Sequence, residues 1–331
     1  MKNKQKRWTV KEYRYTSGQD VKLYRHLVAA SENSLFHERH SKKVRHPADI
    51  LSEEASDISR RFLAFQDTLR LHYGHMECAD ATSKLVTRLD EFYEQLVVIF
   101  KCLTPPPVTE SGRLEDALLA ANRDKWMAFY GRTKSLHDPI RLAANALKHK
   151  GAKIAFARAV NHRGAEVLGF YISHIVGADD LRGPDPEVHP KYRGVVNTAF
   201  SYNNFLRAAA GRIFIYMDAL DKALFKKGDP IVPSSMGFLD GLVNVASSLP
   251  GHFFPDEYAK PYTEIKKKGQ LHEVKTSCRY KCEKGENPDH IQTVGVGAAL
   301  NQRTSTSNSF LPYLQLWHGG ADHILTRSPW A

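Results

Sequence analysis

Hydrophobic positions recur at helical spacing through most of the first half of this 331-residue chain. From Asp20, the residues Val21, Tyr24, Leu27, Val28 and Leu35 fall on one helical face, and the segment closes in the cationic run His37–His46 before Pro47. Ile50, Ile58, Phe62, Phe65, Leu69 and Met76 predict a second, longer helix. Leu85, Leu89, Phe92, Leu96, Ile99 and Leu103 make the most regular pattern in the chain and predict a third. Thr104–Gly112 (TPPPVTESG) cannot propagate a helix and reads as a connector. A fourth helix is expected over Arg113–Tyr130. A short fifth follows in His137–Gly151 (HDPIRLAANALKHKG), with Asp138 as N-cap, Pro139 in the first position and Gly151 just past the end.

After Gly151 the period changes. Ile154, Phe156 and Val160 alternate with small or polar residues, Asn161–Gly164 (NHRG) is turn chemistry, and Val167–Val176 alternates again, so the pattern predicts a β-hairpin. Residues 177–190 read as loop. Helical spacing returns from about Val196 to Lys227 and again around Gly237–Ser248. From Gln270 to Trp317 the chain is strand-like, with two or three antiparallel strands expected. The expected class is therefore α+β, mainly α: a helical bundle with antiparallel β-hairpins in the second half. Residues 1–19 are expected to form a basic flexible N-terminal arm and 20–150 the bundle. Residues 151–331 form a mixed hairpin, helix and strand region packing on it.

Composition supports a packed protein, because 42% of residues are apolar. No apolar run is long enough to predict a membrane span, and four cysteines make no disulfide framework at this length. Both point to a cytoplasmic protein without a membrane partner. Cys278 and Cys282, and the histidine pairs His37/His40 and His72/His75, lack the spacing of a known metal motif. No phosphate-binding glycine loop or nucleophile elbow is present, so neither a metal nor a cofactor is expected.

The formal charge of +11 changes the picture more, since it favours a polyanionic partner, most simply nucleic acid. On a helix over 139–150, Arg141, Asn145, Lys148 and His149 fall within an arc of roughly 100°, with apolar and alanine positions elsewhere. The string Asn145-x-x-Lys148-His149 late in a run of long helices resembles the HEPN superfamily. In ribonuclease members, the resemblance implies metal-independent RNA cleavage, with His149 as acid/base and Arg141 on the phosphate. It also implies a place in a bacterial defence or stress system. Here seven residues separate Arg141 from His149, a wider spacing than in those ribonucleases, and Leu142 follows the arginine.

Arg141, Asn145 and His149 are accordingly the catalytic candidates. Lys148, Lys150, Asn203, Asn204, Arg207 and Arg212 are candidates for holding phosphate. A single basic pocket results if the 202–212 stretch packs beside the first seam. The expected function is binding of, or action on, nucleic acid, RNA favoured. The alternative is a non-catalytic protein-interaction or structural subunit, with a homodimer or a protein as partner.

Overall fold

The computed structural model describes residues 10–30, 45–72, 75–104, 122–160, 166–175, 182–185, 187–189, 199–254, 257, 261–278, 292–296 and 324–325. The expected HERHSKKVRH run (apart from Arg45 and His46), the 105–112 part of the connector and the NHRG turn lie outside them. So do residues 113–121 of the expected fourth helix, Cys282 and residues 297–317 of the strand-like region.

The helices are α1 (Lys22–Ala30), α2 (Pro47–His72), α3 (Met76–Leu103), α4 (Arg123–His149), α5 (Tyr202–Leu224) and α6 (Asp240–Ser248). The strands are β1 (Lys11–Thr16), β2 (Lys153–Val160), β3 (Glu166–Ile175), β4 (Arg182–Pro184) and β5 (Phe200–Ser201). They continue with β6 (Tyr262–Lys268), β7 (Leu271–Cys278), β8 (Gln292–Val296) and β9 (Ile324–Leu325). The class is α+β, mainly α. Among the described residues, no helix is long and apolar enough to cross a membrane.

α5 lies at the centre and packs against α1, α3, α4 and α6 as well as both sheets. Its sequence explains the position: IFIYM and the flanking alanines leave little polar face, and a helix apolar on most of its circumference must be enclosed. Ser201 caps it by accepting a hydrogen bond from the Asn204 backbone N–H at 3.3 Å. One hydrophobic cluster runs from Tyr15 to Val274 and draws on both halves of the chain. On α1, buried His26 meets Asp221 of α5 at 2.5 Å, and Lys22 reaches the other oxygen at 3.4 Å. Arg88 of α3 ties that helix to α2 through Glu54 and through Asp57 at 2.7 Å.

The three-stranded sheet has order β1-β7-β6 and is antiparallel throughout. It corrects the expectation of a flexible arm over 1–19, because residues 11–16 form an edge strand in full register with β7. The reason lies in the alternation of Tyr13 and Tyr15, which turns both rings inward onto Phe214 of α5 at about 6 Å. Residues 1–9 of the arm lie outside the described part. The second sheet has order β4-β3-β2-β8-β9, with β5 also paired to β3. It contains the expected β2–β3 hairpin, Phe156 facing Phe170 in register. The β6–β7 hairpin turns at Gly269 (φ 61°); its first strand, YTEIKKK, was not expected from the sequence.

α4 departs from the expected short helix. It runs unbroken from Arg123 to His149 with Pro139 inside, so Asp138 is not an N-cap. Pro139 cannot donate to the Ser135 carbonyl. Burial of Phe129, Thr133 and His137 before it and of Ile140, Ala143 and Ala144 after it holds the two halves in one helix. The C-terminus is as expected: Gly151 takes φ 65°, and the Ala152 N–H returns to the Ala146 carbonyl at 3.2 Å.

Two predictions follow from the contact of α5 with the three-stranded sheet. A Cβ on Gly211 would lie 2.8 Å from the Thr263 side chain and 3.1 Å from that of Thr276. Gly211→Ala should therefore lower the unfolding free energy by about 1–3 kcal/mol, measured by urea denaturation. His272 is fully buried on the inner face of β7, and neither ring nitrogen has a partner in hydrogen-bond geometry. Burial, then the charge of Lys267, pushes its pKa below the usual histidine value despite Asp240. The unfolded chain then binds more protons than the folded one below about pH 6.5, so stability should fall as pH drops through that region. His272→Leu should shrink the difference in stability between pH 7 and pH 5.

Candidate functional site

The polar seam of α4 is exposed over much of its length. The Arg141 side chain is 53% exposed and pairs with Asp138 at 3.5 Å, one turn back on the same helix. His149 is exposed and Asn145 half-buried. Lys148 bends inward, its ammonium 3.4 Å from Asp90 and 3.8 Å from Glu91, both on α3. Lys150, just past the helix, donates to Glu187 at 2.6 Å.

The 202–212 residues do not join this seam. At about 100° per residue, the seam lies on the side of α4 opposite Pro139, Ile140 and Ala143, and those three face α5. The expected single basic pocket is not formed, because α4 meets α5 through its apolar side. Most of the expected phosphate ligands are instead engaged inside the protein. Asn203 donates to the His252 carbonyl at 3.0 Å, and Asn204 donates to the Glu257 carboxylate at 3.1 Å. Arg207 donates to the Ala246 and Leu249 carbonyls, closing the C-terminus of α6, with its guanidinium 5.8 Å from the centre of the Phe253 ring. Arg212 opens onto a cavity, which Asn204 lines as well.

That cavity, of about 200 Å3, lies between α4 and α5. Ala143 and Ala208 line it from the two helices, and their short side chains leave space between them. Its polar groups are Asn204, Arg212 and Glu257; Phe170, Phe200 and Phe205 form an aromatic wall.

The structure also shows a polar cluster that the sequence did not suggest. His137 Nε2 lies 3.0 Å from Asp90 Oδ1, with both side chains less than 10% exposed. An ionised carboxylate only accepts, so the Nε2 nitrogen carries the proton. The Tyr93 ring stacks on His137 at 3.8 Å and 15°, and its hydroxyl meets Thr133 Oγ1 at 2.8 Å. Tyr216 of α5 packs edge-on against both rings. Burial raises the Asp90 pKa, but the hydrogen bond and charge of His137 and then Lys148 outweigh it and hold the carboxyl below its ordinary value. Asp90 sits within an otherwise apolar helical face, one position after Leu89, and that interruption was the available signal.

Among the described residues, no group of three or more His, Cys, Asp or Glu side chains is placed to hold a metal ion. No protein-family model, curated protein or solved structure matches the chain.

The Asp90 cluster has the geometry of a structural clamp between α3 and α4. Asp90→Ala should cost about 3 kcal/mol, because it leaves buried His137 without its acceptor and removes the nearer of the two carboxylates that Lys148 meets. With its folded pKa depressed, Asp90 contributes stability above the ordinary carboxyl range that is lost as pH falls through its folded value. Acid denaturation of the wild type and the variant should therefore converge at low pH, followed by circular dichroism.

Proposed function

We propose that the protein is a HEPN-like RNA-binding protein whose contact surface is the outward side of α4 and its C-terminal end. The observation that carries this reading is the placement of Arg141 and His149 on one exposed side, with Lys150 at the end of the helix. The carboxylates that Arg141 and Lys150 now meet, Asp138 and Glu187, are themselves solvent-accessible. Such exposed pairs are screened by water and contribute little, so a phosphate can replace the carboxylate. The overall charge of +11 would speed encounter with a polyanion.

Binding is the favoured form, ahead of cleavage. Arg141 and His149 are eight positions apart, about 12 Å along the helix axis, and their arrangement departs from the ribonuclease pattern. The string Asn145-x-x-Lys148-His149 supports the HEPN-like reading, and an association with bacterial defence rests on that resemblance.

Titration with a fluorescent single-stranded RNA at increasing salt tests it. Affinity should fall steeply with salt, and Arg141→Ala with Lys150→Ala should flatten the log–log slope by about one per phosphate contact removed. A salt-independent affinity, or a slope unchanged in the double variant, would end this reading.

A further inference from the structure

The cavity between α4 and α5 carries a chemistry of its own, on the side of α4 away from the proposed RNA surface. Two acid–base partners of opposite sign line it, and only one is already matched. Glu257, 4% exposed, accepts from the Ser201 backbone N–H and Asn204 Nδ2 through Oε1, both at 3.1 Å, and from the Phe254 N–H through Oε2 at 2.9 Å. It also sits at the N-terminus of α5, where the helix dipole favours a negative charge. Arg212 is half-buried two turns further along the same helix and makes no ion pair among the described residues. A guanidinium presents a planar fork of donors suited to a carboxylate, and its attraction grows as water is excluded.

The walls add a second requirement. Phe170, Phe200 and Phe205 lie with ring centroids 5.1–6.5 Å apart, and Phe200 and Phe205 retain partial exposure. Pro139 and Ile140 close the α4 side. Asn204, Ala208 and Arg212 form one stripe of α5 at intervals of four, so the charge and the amide stand at its ends with the least bulky residue between them. An apolar space with a few fixed polar groups is the usual make-up of a small-molecule site. At about 200 Å3 it is smaller than the 300–1,000 Å3 typical for drug-sized ligands.

We infer that this cavity binds a compact organic anion: a carboxylate held by Arg212, on a single flat apolar body enclosed by the phenylalanine wall.

Benzoate is the probe, titrated into the full-length protein by calorimetry, with benzamide and inorganic phosphate as comparisons. Benzoate should bind, and benzamide, which keeps the ring and loses the charge, should bind about tenfold or more weakly. Phosphate, which keeps a charge and loses the ring, should compete poorly. Arg212→Met should weaken benzoate by a similar factor with an unchanged circular dichroism spectrum. Ala208→Leu should abolish binding by filling the space, and it decides the matter if Arg212→Met does not fold. Absence of benzoate binding, equal binding of benzamide, equal competition by phosphate, or undiminished binding in the folded Arg212→Met or Ala208→Leu protein would each overturn the assignment. None of these outcomes bears on RNA affinity, which is read separately.

Discussion

Enclosure of α5 is the constraint on which the rest of the structure depends. Fifteen of its 23 residues are buried, and a side chain such as Ile213, Phe214 or Met217 gains about 1.5–3 kcal/mol on leaving water. A helix of this kind has no stable position at a surface. Four helices and two sheets surround it, which is why β1, near one end of the sequence, and β6–β7, far along it, meet in one sheet. Gly211 sets how closely that sheet can approach.

The interior polar groups are arranged around this apolar helix in a consistent way. Asp221 meets His26, Asp90 meets His137 and Lys148, and Glu257 takes three donors near the start of α5. Tyr202 shares its hydroxyl with Thr82 at 2.9 Å. Most of these pairings join elements distant in sequence, so the polar contacts specify which helix faces which, while the apolar burial supplies most of the stability. His272 departs from this arrangement, as do the Tyr13 and Tyr216 hydroxyls: each is buried with no partner in hydrogen-bond geometry among the described residues.

α4 separates two chemically different environments. Its outward side carries Arg141 and His149 in water; its inward side, with Ala143, opposes Ala208 across the cavity that Arg212 enters. The first is the surface proposed above for an extended polyanion, the second the cavity proposed for a small enclosed anion. The separation follows from the helix period: residues two apart in sequence, such as Arg141 and Ala143, differ by about 200° in direction.

Much of the helical layout was legible in the sequence, because Leu85, Leu89, Phe92 and Leu96 repeat at a spacing that only a helix can bury on one side. The β2–β3 hairpin was legible from alternation, and the end of α4 from Gly151, whose positive φ is a local property. Local signals misled where a tertiary contact overrode them. Asp138-Pro139 has the chemistry of a helix start, yet burial on both sides carries α4 through it. Lys11–Thr16 is too short and too charged to announce a strand until β7 lies beside it. The candidate residues divided in the same way. That Arg141 and His149 share a helical face follows from spacing alone. That Arg207 caps α6, Asn204 serves Glu257, and Arg212 opens onto a cavity depended on chain segments about 40–50 residues away or on another helix, and only packing decides those distances.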